Sequence, residues 1–346
     1  MSPVPGLWHA QRVGRAFGAV LRRSSRRGVV LLYHRVAGPR LDPQLLDVAP
    51  QTFDAQMRVL SQRMEPLALS EFERLRRAGK LPARAVAVTF DDGYVDNLHA
   101  AAPRLVAHGI AATVFVTAGM VDCGREFWWD DVERIAFVPR ALNGSPPALS
   151  IPWRIEDGAA ITEAQNGSKW NVTERVDSSP RHRLYREMVA ALRRRPMAER
   201  DELVAQWRDW AGVAEGARES HRTLSAEELV ALSEIRGVSI GAHTMTHPSL
   251  AMLSATEQAN ELVESRRWLE TTIGKSVTAV AYPYGELSDV SAITVAAARS
   301  AGFEMGLSNV GGTAWLWSSR WRVPRLLVRD WDAATFSARL DAWFAE

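Results

Sequence analysis

Thr89-Phe90-Asp91-Asp92-Gly93 closes one apolar run, Ala85-Val86-Ala87-Val88, and His243-Thr244-Met245-Thr246-His247-Pro248 closes another, Val238-Ser239-Ile240-Gly241-Ala242. The two clusters stand about 150 residues apart. Two imidazoles and one carboxylate make a good ligand set for a catalytic divalent metal, with positions left open for water and substrate. The other carboxylate is then free to take a proton from that water. A spacing of four brings His243 and His247 to one side of a helical turn, and a strand-end loop can converge them as well. Asp91 and Asp92, as strand neighbours, point to opposite faces unless the chain turns at Gly93. A helix N-cap pair is the plainer reading of the same two residues.

Two more clusters have chemical content. Ala281-Tyr282-Pro283-Tyr284-Gly285-Glu286 closes a further apolar run. Its Pro and Gly fix a tight turn, which can aim a backbone N–H at an oxyanion, with Tyr284 as the donor. Trp128, Trp129 and Asp130 form an aromatic–acidic group suited to sugar, rings stacking on the tryptophans and hydroxyls bonding the carboxylate. Packing of a helix accounts for the same three residues without any ligand.

These clusters need strand ends to carry them. Apolar runs at 29–34, 85–90, 111–117, 237–242, 277–282, 303–308 and 322–328 read as strands, and amphipathic stretches at 52–64, 94–108, 225–235, 255–273 and 288–301 read as helices. Repeated strand-then-helix order predicts an α/β fold, a distorted (β/α) barrel of about seven parallel strands with its chemistry at their C-terminal ends. The alternation breaks between 124 and 222, which reads as an insertion after the third strand forming one wall of the cleft. Two arginine-rich helices are expected in it, near 181–193 and 197–211. The resulting division is a basic segment 1–28 and a barrel 29–346 that carries the insertion.

A length of 346 residues with 47% hydrophobic and 24% charged content suits one such barrel with additions. The net charge of +2 argues against a nucleic-acid partner. No apolar run is long enough to span a membrane, and Ala16–Leu21 is short for the core of a signal peptide. The single cysteine, Cys123, forms no internal disulfide and favours a reducing compartment, so the expected location is cytoplasmic. Arg12, Arg15, Arg22, Arg23, Arg26 and Arg27 flank an apolar face of Val13, Phe17, Val20 and Leu21. That pattern suggests peripheral contact with an anionic membrane surface, or a helix packed on the barrel.

Taken in order, the T-F-D-D-G, H-T-x-T-H-P and P-Y-G blocks resemble the polysaccharide deacetylases, the NodB-homology or fourth carbohydrate esterase family, over roughly residues 29–123 and 222–332. The resemblance implies a hydrolase that removes N-acetyl, sometimes O-acetyl, groups from sugars with the help of a divalent metal, usually Zn2+. It implies Asp91 as the base and Asp92, His243 and His247 as the metal ligands. The implied substrate is an N-acetylated glycan or a lipid-linked sugar. Two positions depart from the family pattern. The arginine expected two residues before the proline is Ala281 here, and Arg322, Arg325 and Arg329 are the candidates to replace it. The Leu-x-His block expected late in the domain, source of the general acid, is missing, because no histidine follows His247. Leu32-Tyr33-His34 fits that block instead. First and last strands are neighbours in a closed barrel, so His34 takes the vacant role, as in the poly-N-acetylglucosamine deacetylase-like branch that Leu-Leu-Tyr-His-Arg-Val resembles. The alternative is a catalytically inactive carbohydrate-binding protein that keeps the fold, for which Ala281 is the sole support.

Overall fold

Alternation along the strands decides which side chains reach the barrel interior. In a computed structural model, which describes residues 26–38, 41–138, 142, 144–149 and 170–345, β1 is Arg27–Tyr33 and β3 is Ala85–Phe90. Val29, Leu31 and Tyr33 of β1, and Val86, Val88 and Phe90 of β3, join one large core with the surrounding helices. Val30, Ala85 and Ala87 point the other way, into a second cluster with Phe115, Ala279, Ala281, Leu307 and Val323. The interior is thus filled largely by small residues around the Phe72 and Phe115 rings. Gly241 is required there, since a Cβ would lie 2.3 Å from the Phe115 ring.

The remaining strands are β2 (Glu65–Pro66), β4 (Ala112–Val116), β5 (Val238–Ala242), β6 (Ala279–Ala281), β7 (Met305–Leu307), β8 (Ala314–Trp315) and β9 (Leu326–Leu327). The sheet order is β7-β6-β5-β4-β3-β1-β8, with β9 on β1 and β2 on β3. Every pairing is parallel except β1 with β8. Residues 323–328 join the two sides of the curl. Val323 N–H donates to Gly306 O at 2.9 Å on β7, and Leu326 and Leu327 pair with Leu31 and Leu32 of β1. Seven parallel strands, β1, β3, β4, β5, β6, β7 and β9, therefore make a distorted (β/α) barrel. Its last strand lies against its first.

Outside lie α1 (Pro50–Arg63), α2 (Leu69–Arg77), α3 (Ala102–Ala107), α7 (Ala226–Glu234), α8 (Ala255–Ile273), α9 (Ala292–Ser300) and α10 (Ala333–Ala345). Ser225, Ser254 and Ser291 cap α7, α8 and α9, each side chain accepting the third backbone N–H of its helix. Between β4 and β5 stand α4 (Trp128–Phe137), α5 (Pro180–Leu192) and α6 (Met197–Ala211). These three bury a core of their own around Ile135, Phe137, Leu184, Met188, Leu203 and Trp207. The basic N-terminal face from Arg12 to Leu21 lies outside the described residues. Among those described, no helix is long and apolar enough to cross a membrane.

Candidate metal centre and active-site cleft

Continuing the alternation of β3 past its end places Thr89 and then Asp91 on the interior side. Asp92 is then due on the outside. A left-handed φ of 76° at Asp92, followed by 86° at Gly93, turns the chain and brings both carboxylates to one cavity. At the end of β5, His243 points inward, and φ values of 66° at Thr244 and 56° at His247 fold a tight turn. Thr244 Oγ accepts the His247 N–H at 3.2 Å within that turn. Tyr284, past β6, has φ 59°. Half of the non-glycine residues with positive φ among those described, Asp92, Thr244, His247 and Tyr284, therefore cluster at one site.

Asp92 Oδ1 lies 3.5 Å from His243 Nε2 and 3.4 Å from His247 Nε2. The oxygen is buried and has no hydrogen-bond partner. His243 Nδ1–H donates to Ala281 O at 2.8 Å, which leaves its Nε2 lone pair facing Asp92. Burial lowers the pKa of both imidazoles, with Arg200 adding to the effect at His247 and bringing it to about 3. Both are thus neutral, the form that ligates. Burial conversely raises Asp92. An orphaned carboxylate oxygen between two neutral imidazoles, all buried, is a set that fits a divalent cation.

Asp91 has a different partner. Arg325, 1% exposed, donates to both of its oxygens at 2.7 Å, to Ser308 O at 3.1 Å and to Thr89 Oγ at 3.4 Å. Burial alone would raise the Asp91 pKa, but Arg325 and His243 outweigh it and hold the carboxyl at about 2. Of the three arginines considered from sequence, Arg325 is the one that meets Asp91. Arg322 bonds Val290 O, and Arg329 bonds Leu45 O. Ala281 faces the opposite strands of the barrel, and its carbonyl serves His243. Replacing Arg325 with methionine should destabilise the metal-free protein by about 3–5 kcal/mol, because Asp91 is left buried and unpaired. The depressed Asp91 pKa sets the window. The pair's contribution to wild-type stability is full above the unfolded carboxylate value near 3.9 and is lost as pH falls through about 2. Urea unfolding at several pH values measures it, and a pH-independent penalty contradicts it.

His34 follows β1 and shares a cleft of about 310 Å³ with Asp91, Asp92, His243, His247, Tyr284, Trp128 and Trp129. Burial lowers its pKa, against the pull of Asp92 and Asp91. Trp129 packs its ring edge-on to His247 at 4.8 Å and stacks on Phe127 at 4.5 Å, while the Tyr284 ring meets His247 at 4.9 Å. Trp128 lines the cleft half-buried. Asp130 does not line it. That carboxylate lies beneath the aromatic wall, 4% exposed, accepting Tyr94 Oη at 2.6 Å, and Tyr94 in turn accepts Trp129 Nε1 at 2.8 Å. On a helix, Asp130 is turned away from the face that Trp128 presents to the cleft. Asp130, Glu133 and His221 also approach one another within ligating reach. There, however, Arg218 pairs with Glu133 at 2.8 Å, and Arg35 bonds Ser220 O. Guanidinium groups already supply the positive charge, and the group fastens the insertion to the barrel.

Gly119 supports the ligand turn from β4. Its N–H donates to Met245 O at 2.9 Å, and a Cβ would stand 2.6 Å from that same oxygen. Gly119→Ala should therefore cost about 1–3 kcal/mol and weaken metal binding through His247. Unfolding and zinc titration of the variant check both, and wild-type zinc affinity would exclude the second effect.

The fold and the site thus define a (β/α) barrel with a two-histidine, one-aspartate ligand set at its C-terminal strand ends. Residues 78–138 and 211–306 match the family model described as polysaccharide deacetylase. The matched stretches contain Asp91, Asp92, His243, His247 and Tyr284 but neither His34 nor Arg325. A Bacillus subtilis (strain 168) protein named as a polysaccharide deacetylase, YxkH, is 28% identical over 91 residues, which cover 26% of this chain and 31% of that protein. The match therefore spans under a third of that relative's length. Among solved structures, the Streptococcus pyogenes deacetylase PplD in complex with acetate aligns with a TM-score of 0.57 at 17% identity, over 92% of this chain and 99% of that one. IcaB from Ammonifex degensii aligns with a TM-score of 0.56 at 18% identity, over 93% and 98%. At such identities these alignments speak for the fold.

Proposed function

We propose that this chain is a metal-dependent hydrolase that removes N-acetyl groups from the sugars of a glycan. The observation that carries the reading is the meeting, in one cleft, of the Asp92–His243–His247 set with a second carboxylate, Asp91, fixed by Arg325. A purely binding protein has no use for a buried carboxylate locked beside a set of metal-type donors. Asp92, His243 and His247 would hold the metal, with Zn2+ suited to these N and O donors. Bound there, such an ion would supply Lewis acidity, polarising the acetyl carbonyl and lowering the pKa of a water toward neutrality.

The chain's own groups do the rest. Asp91 stays ionised because of Arg325, and it takes a proton as water forms its bond to the acetyl carbon. A carboxylate of such low pKa is a weak base, so it depends on an acidified water. The backbone N–H of Tyr284 donates to the developing oxyanion. His34 gives a proton to the sugar nitrogen as the C–N bond breaks, leaving acetate and a free amine. Trp128 and Trp129 offer faces for the sugar rings.

The test is acetate release from N-acetylated oligosaccharides, with His34 as the discriminating residue. His34→Ala should keep the metal and lose about 10²–10⁴-fold in turnover, with the alkaline limb of the pH–rate profile moved or gone. An unchanged alkaline limb removes His34 from the proton-donor role.

A further inference from the structure

Arg200 of α6 is 3% exposed, yet its hydrogen bonds go to uncharged groups. Its guanidinium donates to Thr246 O at 3.2 Å, His247 O at 3.4 Å and Tyr284 Oη at 3.4 Å, and its Nε has no partner. Burying an unpaired cation is costly, so something specific must hold it there. On the far side of the same turn stands Glu261 of α8. Its Oε2 accepts the N–H groups of Met245 and Thr246 at 2.8 and 3.0 Å, and its Oε1 accepts Thr246 Oγ at 2.6 Å. A carboxylate thus holds the N–H groups of Met245 and Thr246, and a guanidinium holds the next two carbonyls, those of Thr246 and His247. Lying between the two are Thr244 and His247, both in the left-handed region that non-glycine residues seldom occupy.

We propose that Arg200 and Glu261 are a positioning pair that holds turn 244–247 in the conformation aiming His247 Nε2 at the metal. The proposal rests on the metal-centre reading above. It makes the ligand geometry depend on the insertion, because Arg200 reaches the turn from α6 while Glu261 reaches it from the barrel's own helix α8. The bond between Thr244 Oγ and His247 N closes the turn but does not set its tilt toward Asp92. The two charged groups do that by gripping the turn's peptide groups from opposite sides. Second-layer partners of this kind commonly change metal affinity by about 10–100-fold.

The test uses the full chain and the variants Arg200→Met, Arg200→Lys and Glu261→Gln. Zinc affinity is read by competition with a chelator, ligand geometry by the visible spectrum of the cobalt-loaded protein, and stability by urea unfolding of the metal-free protein. Arg200→Met and Glu261→Gln should each weaken zinc by about 10-fold or more and change the cobalt bands. Arg200→Lys, which keeps one donor on the same carbonyls, should recover part of the affinity. A variant that fails to fold is judged by the other two. Zinc affinities within about two-fold of wild type with unchanged cobalt spectra overturn the pair. So does a lysine variant no better than methionine. A wild-type chain that binds no zinc overturns the metal-centre reading itself, a distinct result.

Discussion

His243→Ala and His247→Ala should each strip the protein of stoichiometric zinc and of measurable acetate release. Each imidazole would supply one of the three protein donors that come together there among the described residues, so no spare ligand would remain. Each is also held for the task. The Nδ1–H of His243 is committed to Ala281 O, and His247 is walled by Trp129 and Tyr284 and kept neutral by burial and Arg200. Removing either ring leaves Asp92 Oδ1 buried with one imidazole, a poor site for a divalent ion. The barrel should remain folded, since neither ring belongs to the large apolar cores. Metal content by mass spectrometry beside circular dichroism checks this, and full zinc occupancy in both variants refutes the ligand assignment.

Asp91→Asn should keep the metal and lose about 10²–10⁴-fold in turnover, the usual cost of removing a general base. The geometry adds a second consequence. Asparagine offers one acceptor where Arg325 needs two, and its amide nitrogen would face a guanidinium nitrogen. The variant leaves Arg325 buried with half a partner and should lose stability as well, by up to about 3–5 kcal/mol. Turnover must therefore be measured well below the variant's melting temperature. Near-normal turnover in a folded, zinc-loaded Asp91→Asn protein would exclude Asp91 as the base.

Much of this architecture was legible because its signals are local. All seven apolar runs overlap the parallel barrel strands, and the helices expected at 225–235 and 255–273 coincide with α7 and α8 within a residue. The two-residue strands β2 and β8 were not read, being too short to show alternation. Neither were α2, a second helix between β1 and β3, and α10, which follows the last strand. The helix expected over 94–108 holds a π-turn at Asn97–Ala101, which hydrophobic spacing does not reveal. At the site, the residues that the fold brings together, Asp92, His243 and His247, were readable as short blocks at strand ends. Asp130 was grouped with its tryptophan neighbours by sequence, but helical geometry turns it under the wall rather than into the cleft. Arg325 carried a signal beyond its place among three candidate arginines. A lone charge within Val323-Pro324-Arg325-Leu326-Leu327-Val328 is rarely buried without a partner. Arg200 and Glu261 carried none, because one lies in an arginine-rich helix and the other on an amphipathic one. Only the folded chain brings them to the same turn.

The most direct measurement of the central claim is a zinc titration of the metal-stripped chain, with acetate release followed on a panel of N-acetylated oligosaccharides. Release should be negligible without metal, rise linearly with added zinc and reach a plateau at about one equivalent per chain, the capacity of one such site. Release that is unaffected by stripping, or a fully zinc-loaded protein that frees no acetate from any member of the panel, would contradict it.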